Sequence, residues 1–185
     1  MIQVYIWPFL GKDTWGHASL EVGGGQPAGA AYISWWPNGN RRSESVSING
    51  MLYCAGAFPD QTLADDIRGE DDHPPSHTIQ VPAKGPNSAG LDESAIKDWW
   101  AKFRTAGVTE WCTLGTNCST IAAYARTRGG GAEFSDMWSS SNAIWTPNAV
   151  LSYARALRDG IKYANLRPAQ PSRRDLDGGL PPGGV

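Results

Sequence analysis

The sequence predicts a mixed α+β fold, with strands in its first half and helices in its second. Apolar and polar residues alternate in "HASLEV" (17–22), the period of a strand with one face buried. From residue 92 the period becomes helical, with Ile96, Trp99, Trp100 and Phe103 at i, i+3, i+4 and i+7. A chain of 185 residues is also long enough to bury a core as one domain.

Taken in order, "IQVYIWPF" (2–9) has the composition of a first strand. In the second, His17, Ser19 and Glu21 point one way and Ala18, Leu20 and Val22 the other. "GGGQPAG" (23–29) is a loop, "AAYISWW" (30–36) the returning strand of a hairpin, and "PNGN" a turn. "SVSI" (45–48) and "MLYCAG" (51–56) read as further short strands. Residues 59–76 are polar and acidic, the composition of a surface loop, before a strand in "HTIQVPA" (77–83). The helix from 92 has Asp92 and Glu93 in its first turn and Gly107 past its end. "VTEWCTLGT" (108–116) leads into "GTNCSTIAAYA" (115–125), where Cys118, Ile121, Ala122 and Ala125 share a helix face. Arg126 and Arg128 suit that helix's C-terminal end, and the glycines at 129–131 stop it. In 145–160, Thr146 is an N-cap and Pro147 the first helical residue. Val150, Leu151, Ala154 and Leu157 form its buried stripe, and Gly160 is its stop. Residues 1–165 are thus read as one domain, and 166–185, rich in Pro and Gly, as a flexible tail.

Composition narrows the function. A formal net charge of −2, with Arg41–Arg42 and Arg173–Arg174 as short pairs and not stripes, predicts neither nucleic acid nor an anionic membrane as partner. No apolar stretch reaches the roughly 20 residues of a membrane span. "MIQVYIWPFLG" has neither a basic leader nor a small-residue cleavage site, so it reads as a strand and not a signal peptide. A soluble chain is expected, with any export through a dedicated secretion system. Three cysteines imply no disulfide framework; free thiols are the default, with a Cys112–Cys118 pair left open. No CxxC pair suggests structural zinc, and no cofactor is expected.

Cys118 falls at a helix N-terminus, where the helix dipole favours thiolate over thiol and backbone N–H groups can hold an oxyanion. A nucleophile needs a base, and His17, held on a strand, suits that role better than His73 or His77 in the acidic loop. The plain alternatives are a buried structural thiol and a hydrogen-bonded structural histidine.

"WGHASLEV", "AYISWWP" and "GTNCSTIAAYA" together resemble the permuted branch of the papain-like, NlpC-type cysteine hydrolases. There the His-bearing strand precedes the Cys-bearing helix, as His17 precedes Cys118. The resemblance implies a small antiparallel sheet packed on helices, Cys118 as nucleophile and His17 as general base. It also implies a polar residue beside the histidine on the neighbouring strand. If Tyr32, Ser34 and Trp36 share the His17 face, Ser34 leads and Tyr32 follows. Asn117 and Thr116 are candidates to shape the oxyanion site, or one of them simply caps the helix. Trp15, Tyr32, Trp36 and Trp111 are candidate cleft walls, and core packing would explain each as well.

The function expected from this is thiol-dependent amide hydrolysis, by a bacterial effector that cleaves a cell-wall peptide or a target-cell protein. An immunity or delivery protein would be its partner. Two other classes compete: a Trp-rich module that binds glycan or peptide without catalysis, and a metal-dependent hydrolase built on Asp71, Asp72, His73 and His77.

Overall fold

In the computed structural model, residues 1–10, 16–24, 29–38, 54–107, 110–135 and 144–167 are described. The expected strand at 45–48, Trp15 and all but the first two residues of the expected tail lie outside them. The fold is mixed α+β, as the change of hydrophobic period predicts.

One sheet has the order β3-β2-β1-β6, from β1 (Ile2–Trp7), β2 (His17–Val22), β3 (Ala31–Ile33) and β6 (His77–Val81). Its three pairings are antiparallel. β2 is interior and therefore holds its side chains rigidly. Its register sets Trp7 opposite His17 and Glu21 opposite Tyr32. Gly16 enters β2 with φ +68, and a Cβ there would lie 2.4 Å from the Trp7 carbonyl oxygen. Only glycine lets the chain turn this tightly just before the histidine.

The returning strand expected at 30–36 is split. After Ile33 the chain leaves β2, and β4 (Trp36–Pro37) joins a second sheet of order β4-β5-β7, with β5 (Cys54–Phe58) and β7 (Glu110–Cys112). β5 covers the described part of the strand expected at 51–56, whose first three residues lie outside the described ones, and β7 lies where only a connection was expected. Cys54 and Cys112 are cross-strand partners and form a disulfide, while Cys118 is free. The expectation of free thiols is corrected: cysteines 58 positions apart meet because strand pairing sets them opposite each other.

The acidic segment read as a surface loop contains α1 (Leu63–Gly69). Thr62 caps it, accepting from the Asp65 N–H while Asp65 accepts from the Thr62 N–H. The other helices are α2 (Glu93–Phe103), α3 (Cys118–Arg128) and α4 (Pro147–Leu166). The core unites one face of the four-stranded sheet (Val4, Leu20, Ile33, Val81) with Ile96, Ile121 and Leu157 from these helices. Gly160 does not stop α4. A Cβ there would lie 2.4 Å from the Phe134 carbonyl oxygen, so the glycine permits a close backbone approach inside the helix. Arg126 does not serve an exposed helix end; it is fully buried over the Tyr153 ring, 4.6 Å from the centroid.

Candidate active site

α3 packs against β2 and brings Cys118 to His17. Asn117 makes this placement firm. Its Oδ1 accepts from the Thr120 N–H at 2.8 Å, and its Nδ2 donates to the carbonyls of Thr113 (2.8 Å) and Trp145 (3.2 Å). Asn117 is therefore the N-cap of α3, with its amide fully engaged and unable to serve an oxyanion. Thr116 offers its carbonyl to the Cys112 N–H and is not a cleft wall. The Cys118 N–H, as the first helical amide of α3, has no partner within its own helix.

His17 is buried and its Nε2 lies 3.0 Å from Ser34 Oγ and 3.1 Å from Asp66 Oδ2. Ser34 donates its own proton to Asp66 Oδ1 at 2.8 Å, so at His17 it can only accept. Nε2 must then carry a proton, shared between Ser34 and Asp66, and Nδ1 is the nitrogen left for Cys118. This is the tautomer a general base needs: the bare nitrogen of the neutral ring faces the thiol.

Asp66, from α1, was missing from the expected site. It is fully buried and accepts from four groups. Ser34 Oγ and Trp36 Nε1 (2.6 Å) reach Oδ1; His17 Nε2 and Tyr32 Oη (2.5 Å) reach Oδ2. Trp36 also stacks on His17, with ring centroids 4.5 Å apart. Tyr32, expected as a cleft wall, instead sits between Asp66 and Ser19 Oγ (2.7 Å). The threonine-capped "TLADDIRG" was the signal for a helix there, masked by its acidity.

The charges reinforce one another. Burial opposes ionisation of His17, but the Cys118 thiolate and the Asp66 carboxylate outweigh it and raise its pKa to about 10. Burial likewise opposes the Cys118 thiolate, yet the charge and hydrogen bond of His17, with the Ala18 N–H, hold its pKa below that of an ordinary thiol. Asp66 is desolvated too, and His17 with the surrounding donors keeps it below the usual carboxylate range.

A cleft of about 680 Å³ opens over Cys118 and His17. Trp7, Trp35, Trp36 and Trp111 supply aromatic wall, with Glu70 and Asp71 at one side. Trp7 Nε1 donates to the His73 carbonyl at 2.7 Å and ties down the segment after α1. Among the described residues, no three of His, Cys, Asp or Glu converge to hold a metal ion, so Asp71, Asp72, His73 and His77 do not form the cluster weighed above.

The IcsB middle domain family matches residues 1–82 and 79–177, nearly the whole chain. The chain belongs to this family. No curated protein and no solved structure matches it. Both matched segments carry parts of the site: the first includes His17, Ser34 and Asp66, the second Cys118. Among the described residues of this IcsB middle domain, no helix is long and apolar enough to cross a membrane.

Proposed function

We propose that this IcsB middle domain is a cysteine-dependent acyl-transfer enzyme of a bacterial effector, with amide hydrolysis as its first activity. The observation that carries this reading is that His17 contacts both Cys118 and Asp66. The three supply a free thiol at a helix N-terminus, a buried imidazole whose outer nitrogen is fixed, and a buried carboxylate beyond it. The order of the chain, strand histidine before helix cysteine, supports a relation to the permuted papain-like hydrolases.

In this mechanism Cys118 Sγ attacks the carbonyl carbon of an amide, and the Cys118 N–H stabilises the oxyanion. The protonated His17 gives its Nδ1 proton to the departing amine as the C–N bond breaks, leaving a thioester on Cys118. His17 then takes a proton from water, the hydroxide attacks the thioester, and the carboxylic acid leaves as the thiolate returns. Asp66 holds the ring and stabilises its charge without taking a proton.

The same residues would also serve a second reading, in which an amine replaces water as acceptor and the acyl group passes to it. Trp100 and Trp145 are buried among the core residues, which assigns them to packing and weakens the case for a non-catalytic aromatic binding surface.

The test is to incubate the native protein and Cys118→Ser with bacterial cell wall and with peptide amides. New amino groups and Cys118 thioester are followed together by mass spectrometry. Cys118-dependent release of amines is expected. A protein that forms no thioester with amides or with activated esters would overturn the reading. A thioester discharged to an added amine in preference to water would establish the transferase reading over the hydrolase.

A further inference from the structure

Four hydrogen-bond donors surround Asp66, and three of them come from one short stretch. Tyr32, Ser34 and Trp36 alternate along the chain, so in an extended backbone they project to one side. The β2–β3 pairing ends at Leu20 and Ile33, and Ser34 and Trp36 follow where the chain crosses toward the second sheet. An ionised carboxylate has about four lone-pair positions, and here all are used: Ser34 and Trp36 on Oδ1, Tyr32 and His17 on Oδ2.

The donors differ in what else they can do. The Trp36 indole N–H can only donate. The Ser34 oxygen already receives the His17 Nε2 proton, so its own proton is directed to Asp66. His17 cannot accept at Nε2 while that nitrogen is protonated. Tyr32 alone can reverse: its hydroxyl could accept from a protonated Asp66 and donate to Ser19 Oγ, 2.7 Å away. Protonating Asp66 therefore requires Tyr32 to turn round or another donor to be displaced.

We infer that Tyr32, with Ser34 and Trp36, forms a donor ladder that keeps Asp66 ionised and so sets the acid limit of the pH range in which Cys118 is a reactive thiolate. This rests on Cys118 being the nucleophile. Tyr32 lies outside the cleft walls, so it acts through Asp66 as a positioning residue and not through substrate. The ladder supplies the buried Asp66 carboxylate with the charge stabilisation that water would otherwise give.

The experiment measures the rate of Cys118 alkylation by iodoacetamide against pH, with Cys118 identified by mass, in the unaltered protein, Tyr32→Phe, Trp36→Phe and Asp66→Asn. Tyr32→Phe keeps the ring and removes one donor. Losing a hydrogen bond to a charged group moves the acid limb of the profile upward by about one pH unit. Trp36→Phe, which keeps a stacked ring, moves it the same way, and Asp66→Asn moves it furthest. Thermal midpoints taken in parallel separate stability from titration. An acid limb unmoved in both ring variants, whatever their midpoints, would overturn the ladder while leaving the acyl-transfer reading intact. An ordinary thiol profile in the unaltered protein would overturn both.

Discussion

Replacing Asp66 by Asn exchanges one acceptor oxygen for an NH2 group in a site crowded with donors. At the Oδ1 position that NH2 would meet the Trp36 indole N–H, which cannot accept. The amide therefore turns its NH2 to the Oδ2 position. There Tyr32 Oη can rotate to accept, and His17 Nε2 can accept only after giving up its proton. The neutral ring then carries its proton on Nδ1, facing Cys118, and cannot take the thiol's. Without an imidazolium beside it the thiol returns at least to its ordinary pKa of about 8.5, and at about pH 7 only roughly 3% is thiolate. Cys118 alkylation should slow by about 30-fold or more. Turnover should fall further, toward about 10⁴-fold, because the same tautomer fault also removes the general base. Iodoacetamide labelling with mass detection measures the first effect directly. An Asp66→Asn variant that alkylates within about threefold of the native rate would refute the assigned tautomer and the role of Asp66.

Three other outcomes follow from the same geometry. The raised His17 pKa, about 10, stabilises the fold fully below its unfolded value of about 6.5 and is lost as pH rises through about 10. The lowered Cys118 pKa contributes above its unfolded value of about 8.5 and is lost as pH falls. Their proton changes oppose each other between those unfolded values, and above about pH 8.5 the His17 change stands alone, so the urea midpoint should decline there; a midpoint that rises would contradict the assignment. Asn117→Ala removes the α3 cap and the acceptor of the Thr120 N–H, and should cost about 1–3 kcal/mol in urea unfolding; a change below about 0.5 kcal/mol would contradict the cap's importance. Reducing the Cys54–Cys112 bridge, or replacing both cysteines by Ser, opens a link across 58 positions and should cost about 4 kcal/mol by chain entropy. An unchanged thermal midpoint would contradict this.

Much of the fold was legible because local chemistry and burial agree. The Thr146 cap, the Pro147 start and the apolar stripes of α2, α3 and α4 follow directly from residue type and period. His17 on β2 and Cys118 opening α3 could be named for the same reason. Asp66 could not, since nothing local separates a buried carboxylate from its partly exposed neighbours Asp65 and Glu70. Only the convergence of Tyr32, Ser34, Trp36 and His17 offsets the cost of burying it, and that is a tertiary property. The face shared by Tyr32, Ser34 and Trp36 was visible as a period of two, but it reads as choosing one partner for His17. The structure uses all three to hold a fourth residue. The disulfide and Gly160 escaped in a similar way. One depends on the register of β5 against β7, the other on a backbone, at Phe134, that no sequence pattern announces.

The most direct test of the central claim is the ultraviolet absorbance of the Cys118 thiolate against pH, taken as the difference between the native protein and Cys118→Ser. A thiolate held by the His17 imidazolium should persist well below about pH 7 and lose that acid stability in His17→Ala. A signal that appears only at about pH 8.5 or above, and is indifferent to His17, would leave Cys118 a buried thiol without catalytic chemistry.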